Sequence, residues 1–128
     1  MKLLKNLVIA FVVLFSMGSL SSAIAAGKIE NATASQVKEA IEAALTDAKT
    51  ALDGLKNGAD MEVVAQHIVS ARQATKEIEV GTTLDPTRSK ASTKLRAANT
   101  AVNKGEKENA EAALVEAIKG FEHIKANY

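Results

Sequence analysis

The sequence predicts an all-α protein: an antiparallel up-down-up-down four-helix bundle that follows a cleaved signal peptide. Two observations predict this fold. Apolar residues recur every three or four positions in four segments, and short breaks rich in glycine and asparagine separate these segments. No segment shows the alternating pattern of a strand. At 128 residues with a single proline, the chain fits one bundle domain over residues 26–128.

Residues 1–25 have the pattern of a secretory signal peptide. Lys2 and Lys5 form a charged start, residues 7–15 are uniformly apolar, and Ala23-Ile24-Ala25 matches a small-residue cleavage site. The apolar stretch is shorter than the roughly 20 residues that span a bilayer. We therefore expect a periplasmic or secreted product with no membrane anchor after cleavage.

Cleavage would also change the charge balance. Loss of Lys2 and Lys5 leaves 14 basic residues against 15 acidic ones, so the formal charge falls from +1 to −1. Nucleic-acid binding needs a concentrated basic face, and these charges are interspersed along the chain. We expect no nucleic-acid partner.

The first two helices are predicted from capping signals and periodicity. Thr33 and Gln36 form a capping box before the first helix, and Asn57-Gly58 ends it. Asp60 caps the second helix and Gly81 stops it. The expected apolar face of the first helix comprises Val37, Ile41, Ala44, Ala48, Leu52 and Leu55. That of the second comprises Val64, Ile68, Ala71, Thr75 and Ile78.

The third and fourth helices form a second predicted hairpin. Asp85 is the expected N-cap of the third helix, with Pro86 at its first position, and the break at residues 103–105 ends it. The expected buried residues of the third helix are Ala91, Leu95, Ala98 and Val102. Those of the fourth are Ala110, Leu114, Ala117, Ile118, Phe121 and Ile124.

The two hairpins match at an offset of 47 residues. This offset superimposes Gly58 on Gly105, Ala51 on Ala98, Leu55 on Val102 and Ile68 on Val115. Two explanations stay open at this point: an internal duplication, or the heptad-like spacing that any two helical hairpins share.

Several kinds of chemistry are excluded or not expected. Without cysteine, the chain forms no disulfide, iron–sulfur cluster or thiolate nucleophile. No G-x-S-x-G motif, glycine-rich phosphate loop or carboxylate within an apolar stretch is evident. We expect no enzymatic activity.

Histidines are the remaining candidates for a metal site. His67 and His123 have no second histidine at ligand spacing, and a bundle separates them by roughly 13 Å along its axis at about 1.5 Å per residue. Each is expected either to act alone as a weak surface ligand, with carboxylates nearby, or to meet a partner across an oligomer. The candidate metal ligands are therefore His67, His123, Glu62, Glu116 and Glu122. The alternative is that both histidines are ordinary boundary residues.

The region 33–126 resembles the small metal-binding protein family of the bacterial periplasm, as a histidine-depleted relative. Segments 37–44 and 116–119 are similar to its Ala/Glu/Lys repeats, and His67 and His123 fall where that family carries histidines. The resemblance implies a four-helix bundle that binds divalent transition metals, notably copper, with nickel or zinc as further candidates.

A weaker resemblance is to the periplasmic b-type four-helix-bundle cytochromes, through His123 and Tyr128 near the end of the last helix. That family takes a haem ligand from a methionine near the start of the first helix. Residues 27–45 contain no methionine, so haem is not expected.

Two roles follow from the sequence. One is an exported binding protein that holds a divalent metal weakly. The other is a structural or interaction module that contacts another protein of the cell envelope without metal. Neither the partner nor the oligomeric state follows from the residues.

Overall fold

Four α-helices make up the part of the chain that the computed structural model describes, residues 33–128. They are α1 (Ala34–Lys56), α2 (Met61–Lys76), α3 (Asp85–Asn103) and α4 (Lys107–Asn127). The predicted all-α four-helix arrangement is confirmed. The predicted signal peptide lies outside the described residues. None of the described helices is long and apolar enough to cross a bilayer.

Each helix packs against two others. The main contacts join α1 to α2, α2 to α3, α3 to α4, and α4 back to α1, so the helices surround one core. In the ion pairs between α1 and α4, Glu42 contacts Lys125 and Lys49 contacts Glu122. Residue numbers rise along α1 as they fall along α4, which is the order of contacts in an antiparallel pair.

The predicted start and end signals of α1 are confirmed. The backbone N–H of Thr33 donates to Gln36 Oε1 at 2.9 Å, and the N–H of Gln36 donates to Thr33 Oγ1 at 3.3 Å. These two bonds form the capping box. At the other end Gly58 has φ +73°, a conformation that glycine adopts without strain.

The boundaries of α2 and α3 correct two predictions. Asp60 caps α2 as expected, accepting from the N–H of Glu62 at 3.2 Å. However, α2 ends at Lys76, because the N–H groups of Glu77 and Ile78 bond three residues back and tighten the last turn. Gly81 therefore does not stop α2, and instead its carbonyl accepts from the N–H groups of Leu84 and Asp85 before α3.

Asp85 is the first residue of α3 and not its N-cap. Leu84 occupies the capping position without a side-chain bond. The Asp85 carboxylate pairs with Arg88 instead, at 2.8 Å from Nη2. Pro86 lies in the first turn, where its missing N–H costs no helical bond.

The core follows the predicted apolar faces. All the apolar positions predicted for α3 and α4 are buried. In α1 only Leu52 departs from the prediction, because it is half-buried at the edge of the core. Ile78 is buried although it lies beyond the end of α2. Among residues 33–128 the core contains one large aromatic side chain, Phe121, which is fully buried.

Candidate functional site

A buried pair of ionisable side chains lies between α1 and α2. Asp47 on α1 and His67 on α2 each expose 4% of their surface. His67 Nδ1 lies 3.7 Å from Asp47 Oδ1, which is ion-pair distance but too long for a hydrogen bond. Their neighbours along the helices are core residues, Ala48 and Ile68.

Burial makes this pair unusual among the charges of the described bundle. Taking a carboxylate or an imidazolium out of water is costly unless a partner compensates for it. The other ion pairs between residues 33 and 128 keep at least one partner more than half exposed. Asp47 and His67 are therefore the ionisable side chains that are buried in the core of the described bundle.

The second feature of the site is a groove between α2 and α3, with a volume of about 590 Å³. His67 is among the residues that line this groove, and its imidazole faces Asp47 on α1. Most of the other lining side chains are polar and uncharged: Gln66, Ser70, Gln73, Asn99 and Asn103.

Glu62 lies at one end of the α2–α3 groove. It is in the first turn of α2, where its backbone N–H is held by the Asp60 cap, and its exposed side chain lines the groove together with Asn103 at the end of α3. Two of the five predicted metal ligands, His67 and Glu62, therefore lie along the same groove.

The other three predicted ligands lie on α4. Glu122 pairs with Lys49 at 3.9 Å, and Glu116 pairs with Lys119 at 3.5 Å. His123 is exposed, and its Nδ1 lies 3.5 Å from Asn127 Nδ2. The structure thus divides the candidates into a groove set and an α4 set. Within residues 33–128 no cluster of three or more metal-ligating side chains forms.

The two histidines differ sharply in environment. The reading of both as boundary residues fails for His67, which is buried, whereas His123 is exposed. Asp47, which the sequence pattern does not single out, is buried beside His67.

Residue type does not distinguish Asp47 from the exposed acids of the chain, but its position relative to the hairpin tip does. It lies eleven residues before Gly58, and His67 lies nine residues after it. In an antiparallel hairpin, residues at similar distances from the tip lie at similar heights. The similar distances of Asp47 and His67 from Gly58 along the chain therefore predict that the two residues lie at the same height and face each other.

A metal-bound histidine commonly donates its other ring N–H to a carboxylate, and that hydrogen bond fixes the orientation of the ring. Asp47 lies on the Nδ1 side of His67, but the 3.7 Å separation is beyond hydrogen-bond distance. The pair therefore resembles this arrangement without its hydrogen bond.

No protein-family model matches the chain, and comparison with curated proteins and with solved structures gives no significant match either.

Proposed function

We propose that this chain is an exported, non-enzymatic binding protein that holds a divalent transition metal weakly through His67. The observation that supports this most directly is the 3.7 Å approach of Asp47 to His67 Nδ1 inside the bundle. Asp47 lies beside the imidazole, and Glu62, which lines the same groove, is a carboxylate of the kind found in copper, nickel or zinc sites.

Weak binding follows from the number of protein ligands. Structural zinc sites use four protein ligands and catalytic ones three. Here one buried imidazole and an exposed carboxylate contribute, so water would complete the coordination shell. On α4, His123 with Glu122 or Glu116 offers a solitary and more exposed alternative.

Calorimetric titration of the purified protein with Cu²⁺, Ni²⁺ and Zn²⁺ tests the proposal. We expect His67→Gln to abolish the heat of binding and His123→Gln, the matched control, to retain it. Asp47→Asn should weaken the affinity by about 10–100-fold, because the carboxylate beside the ligand is lost.

Two results would overturn the metal proposal. One is an absence of heat beyond buffer controls at millimolar metal. The other is loss of binding in His123→Gln with His67→Gln unaffected, which would move the site to α4. Export is tested separately by the mass of the protein in the periplasmic fraction, which should lack residues 1–25.

A second candidate function is that of an interaction module of the cell envelope that needs no metal. The observation that favours it is the α2–α3 groove itself, beside which Val69 exposes 39% of its surface. Exposed apolar side chains of this size are scarce on the described surface, where Tyr128 is the other example. A partner that binds in the presence of a chelator would support this role over metal binding.

A further inference from the structure

The tip between α1 and α2 contains an asparagine that is followed directly by a glycine. Asn57 caps the C-terminal end of α1 with φ −94° and ψ 4°, and Gly58 has φ +73°. The tip of the second hairpin has almost the same backbone, with φ −90° and ψ −4° at Lys104 and φ +74° at Gly105. The conformation of the tip therefore does not require an asparagine before the glycine.

An asparagine before a glycine can react with the backbone of its neighbour. The backbone nitrogen of the glycine gives up its proton and bonds to Cγ of the asparagine, and the side-chain nitrogen takes up a proton and leaves as ammonia. The succinimide ring that results then adds one water molecule. Opening at the side-chain carbonyl gives aspartate, whereas opening at the backbone carbonyl gives isoaspartate, in which the main chain runs through the side chain. Glycine favours the reaction because no Cβ shields its nitrogen.

The attacking nitrogen belongs to the most weakly bonded N–H of this tip. The N–H of Gly58 donates to the carbonyl of Leu55 at 3.4 Å, whereas the N–H groups of Asn57 and Ala59 donate at 2.9 and 2.8 Å. In the second tip the N–H of Gly105 is held at 3.0 Å. A bond of 3.4 Å is longer than a well-formed N–H···O bond. The Gly58 nitrogen is therefore the donor that the tip restrains least.

The space around the reacting groups is open to solvent. Asn57 and Gly58 are both exposed, and a Cβ added at Gly58 would meet no atom within 4 Å. In the closed tip, ψ of 4° at Asn57 turns the Gly58 nitrogen away from Cγ. Attack therefore requires a local opening of the tip, and such openings occur in folded proteins while the helices stay packed.

We propose that Asn57 is a site of spontaneous modification in the folded protein, where cyclisation with Gly58 converts it to isoaspartate and aspartate. Both products place a negative charge at the C-terminal end of α1, where the helix dipole disfavours it. Isoaspartate also lengthens the main chain of the tip by one carbon atom. The modification therefore weakens the junction between α1 and α2, and it depends neither on metal binding nor on an envelope partner.

The experiment follows the folded protein during incubation at neutral pH in water enriched in heavy oxygen. Proteolytic peptides are analysed by mass spectrometry, with a fragmentation method that distinguishes isoaspartate from aspartate. We expect the peptide with Asn57 to gain isoaspartate and one heavy oxygen atom. It should do so before the asparagines of α3 and α4, each of which is followed by a residue with a side chain: Asn99, Asn103, Asn109 and Asn127. A sample unfolded in urea should convert faster at Asn57, because its tip is open.

Three comparisons locate the reaction and its effect. Asp53 is also followed by a glycine, but it lies inside α1 and should stay unchanged in the folded protein. Asn57→Lys introduces the residue that the second tip has, and it should abolish isoaspartate formation at the tip without lowering the urea midpoint of unfolding. Asn57→Asp adds the charge without lengthening the main chain. The aged wild type, rich in isoaspartate, should therefore unfold at a lower urea concentration than Asn57→Asp.

Three results would overturn the proposal. The first is an absence of isoaspartate at Asn57 in the folded protein after the sample in urea has converted completely. The second is earlier conversion at Asp53 or at an asparagine of α3 or α4. The third is formation of aspartate alone, which would show direct hydrolysis of the side-chain amide without a succinimide.

Discussion

Substituting Asp47 and His67 by alanine, singly and together, should reveal a substantial coupling energy between them. At the observed 3.7 Å, opposite unit charges attract by about 1 kcal/mol in bulk water and by about 4.5 kcal/mol at an effective dielectric constant of about 20. Desolvation offsets part of this attraction, because each residue exposes only 4% of its surface. We expect a net coupling of about 1–3 kcal/mol when both groups are charged.

The measurement is a double-mutant cycle by urea unfolding of the wild type, both single variants and the double variant. The exposed pair Lys49–Glu122 serves as the control, because its 3.9 Å separation is similar but its side chains are 52% and 56% exposed. Its coupling should not exceed about 0.5 kcal/mol. A coupling between Asp47 and His67 no larger than that of the control would refute the electrostatic interpretation of the buried pair.

Two further predictions concern the scaffold and use the same unfolding assay. Phe121→Ala removes a large aromatic side chain from the core, at 0% exposure, and should cost about 3–5 kcal/mol. The control Tyr128→Ala, at 42% exposure, should change the free energy of unfolding by less than about 0.5 kcal/mol. Equal losses of stability in Phe121→Ala and Tyr128→Ala would contradict the assignment of the core. Gly105→Ala should cost about 1 kcal/mol, because φ is +74° there. Gly81→Ala, with open space around the added methyl group and no positive φ, should be neutral.

The helices and most of the core follow from the sequence because burial in a bundle is periodic. A residue is buried when it recurs on one side of a 3.6-residue helix, and this condition depends on local spacing alone. The position of a helix end depends on tertiary contacts as well as on local spacing. The end of α2 at Lys76 is decided by the turn at Glu77 and Ile78 that places Ile78 in the core, and local residue preferences point to Gly81 instead.

The candidate site is only partly predictable, because it is made by contacts between helices. His67 and Glu62 can be singled out by residue type, since few other side chains suit a transition metal. Asp47 has the same residue type as many solvent-exposed acids, and only its height relative to the hairpin tip distinguishes it. The amides along the α2–α3 groove carry no sequence signal of their own, because exposed glutamine and asparagine are common on helical surfaces.

The structure also shows how far the two helical hairpins match at the offset of 47 residues. Both tips have a glycine with positive φ, at 73° and 74°, and each is closed by a 2.8 Å bond, from the N–H of Ala59 to Gly54 and from that of Glu106 to Ala101. The offset of 47 residues thus aligns α1 with α3, including Ala51 with Ala98. It does not hold for α2 and α4, where the buried partner of Ile68 is Leu114 and not Val115, which is half-buried. The second hairpin therefore follows the register of the first with one residue fewer after the tip.

The shared register identifies the residues of the second hairpin that occupy the positions of Asp47 and His67. The positions of Asp47 and His67 in the first hairpin correspond to Lys94 and Ala113 in the second. Those two residues are half-buried, and the alanine carries no ionisable group. The same hairpin geometry is thus built without a buried acid and imidazole, and replacing a buried ion pair by well-packed apolar groups is often neutral or stabilising. The hairpin geometry alone therefore does not require the Asp47–His67 pair, and ligand binding is the role to test first.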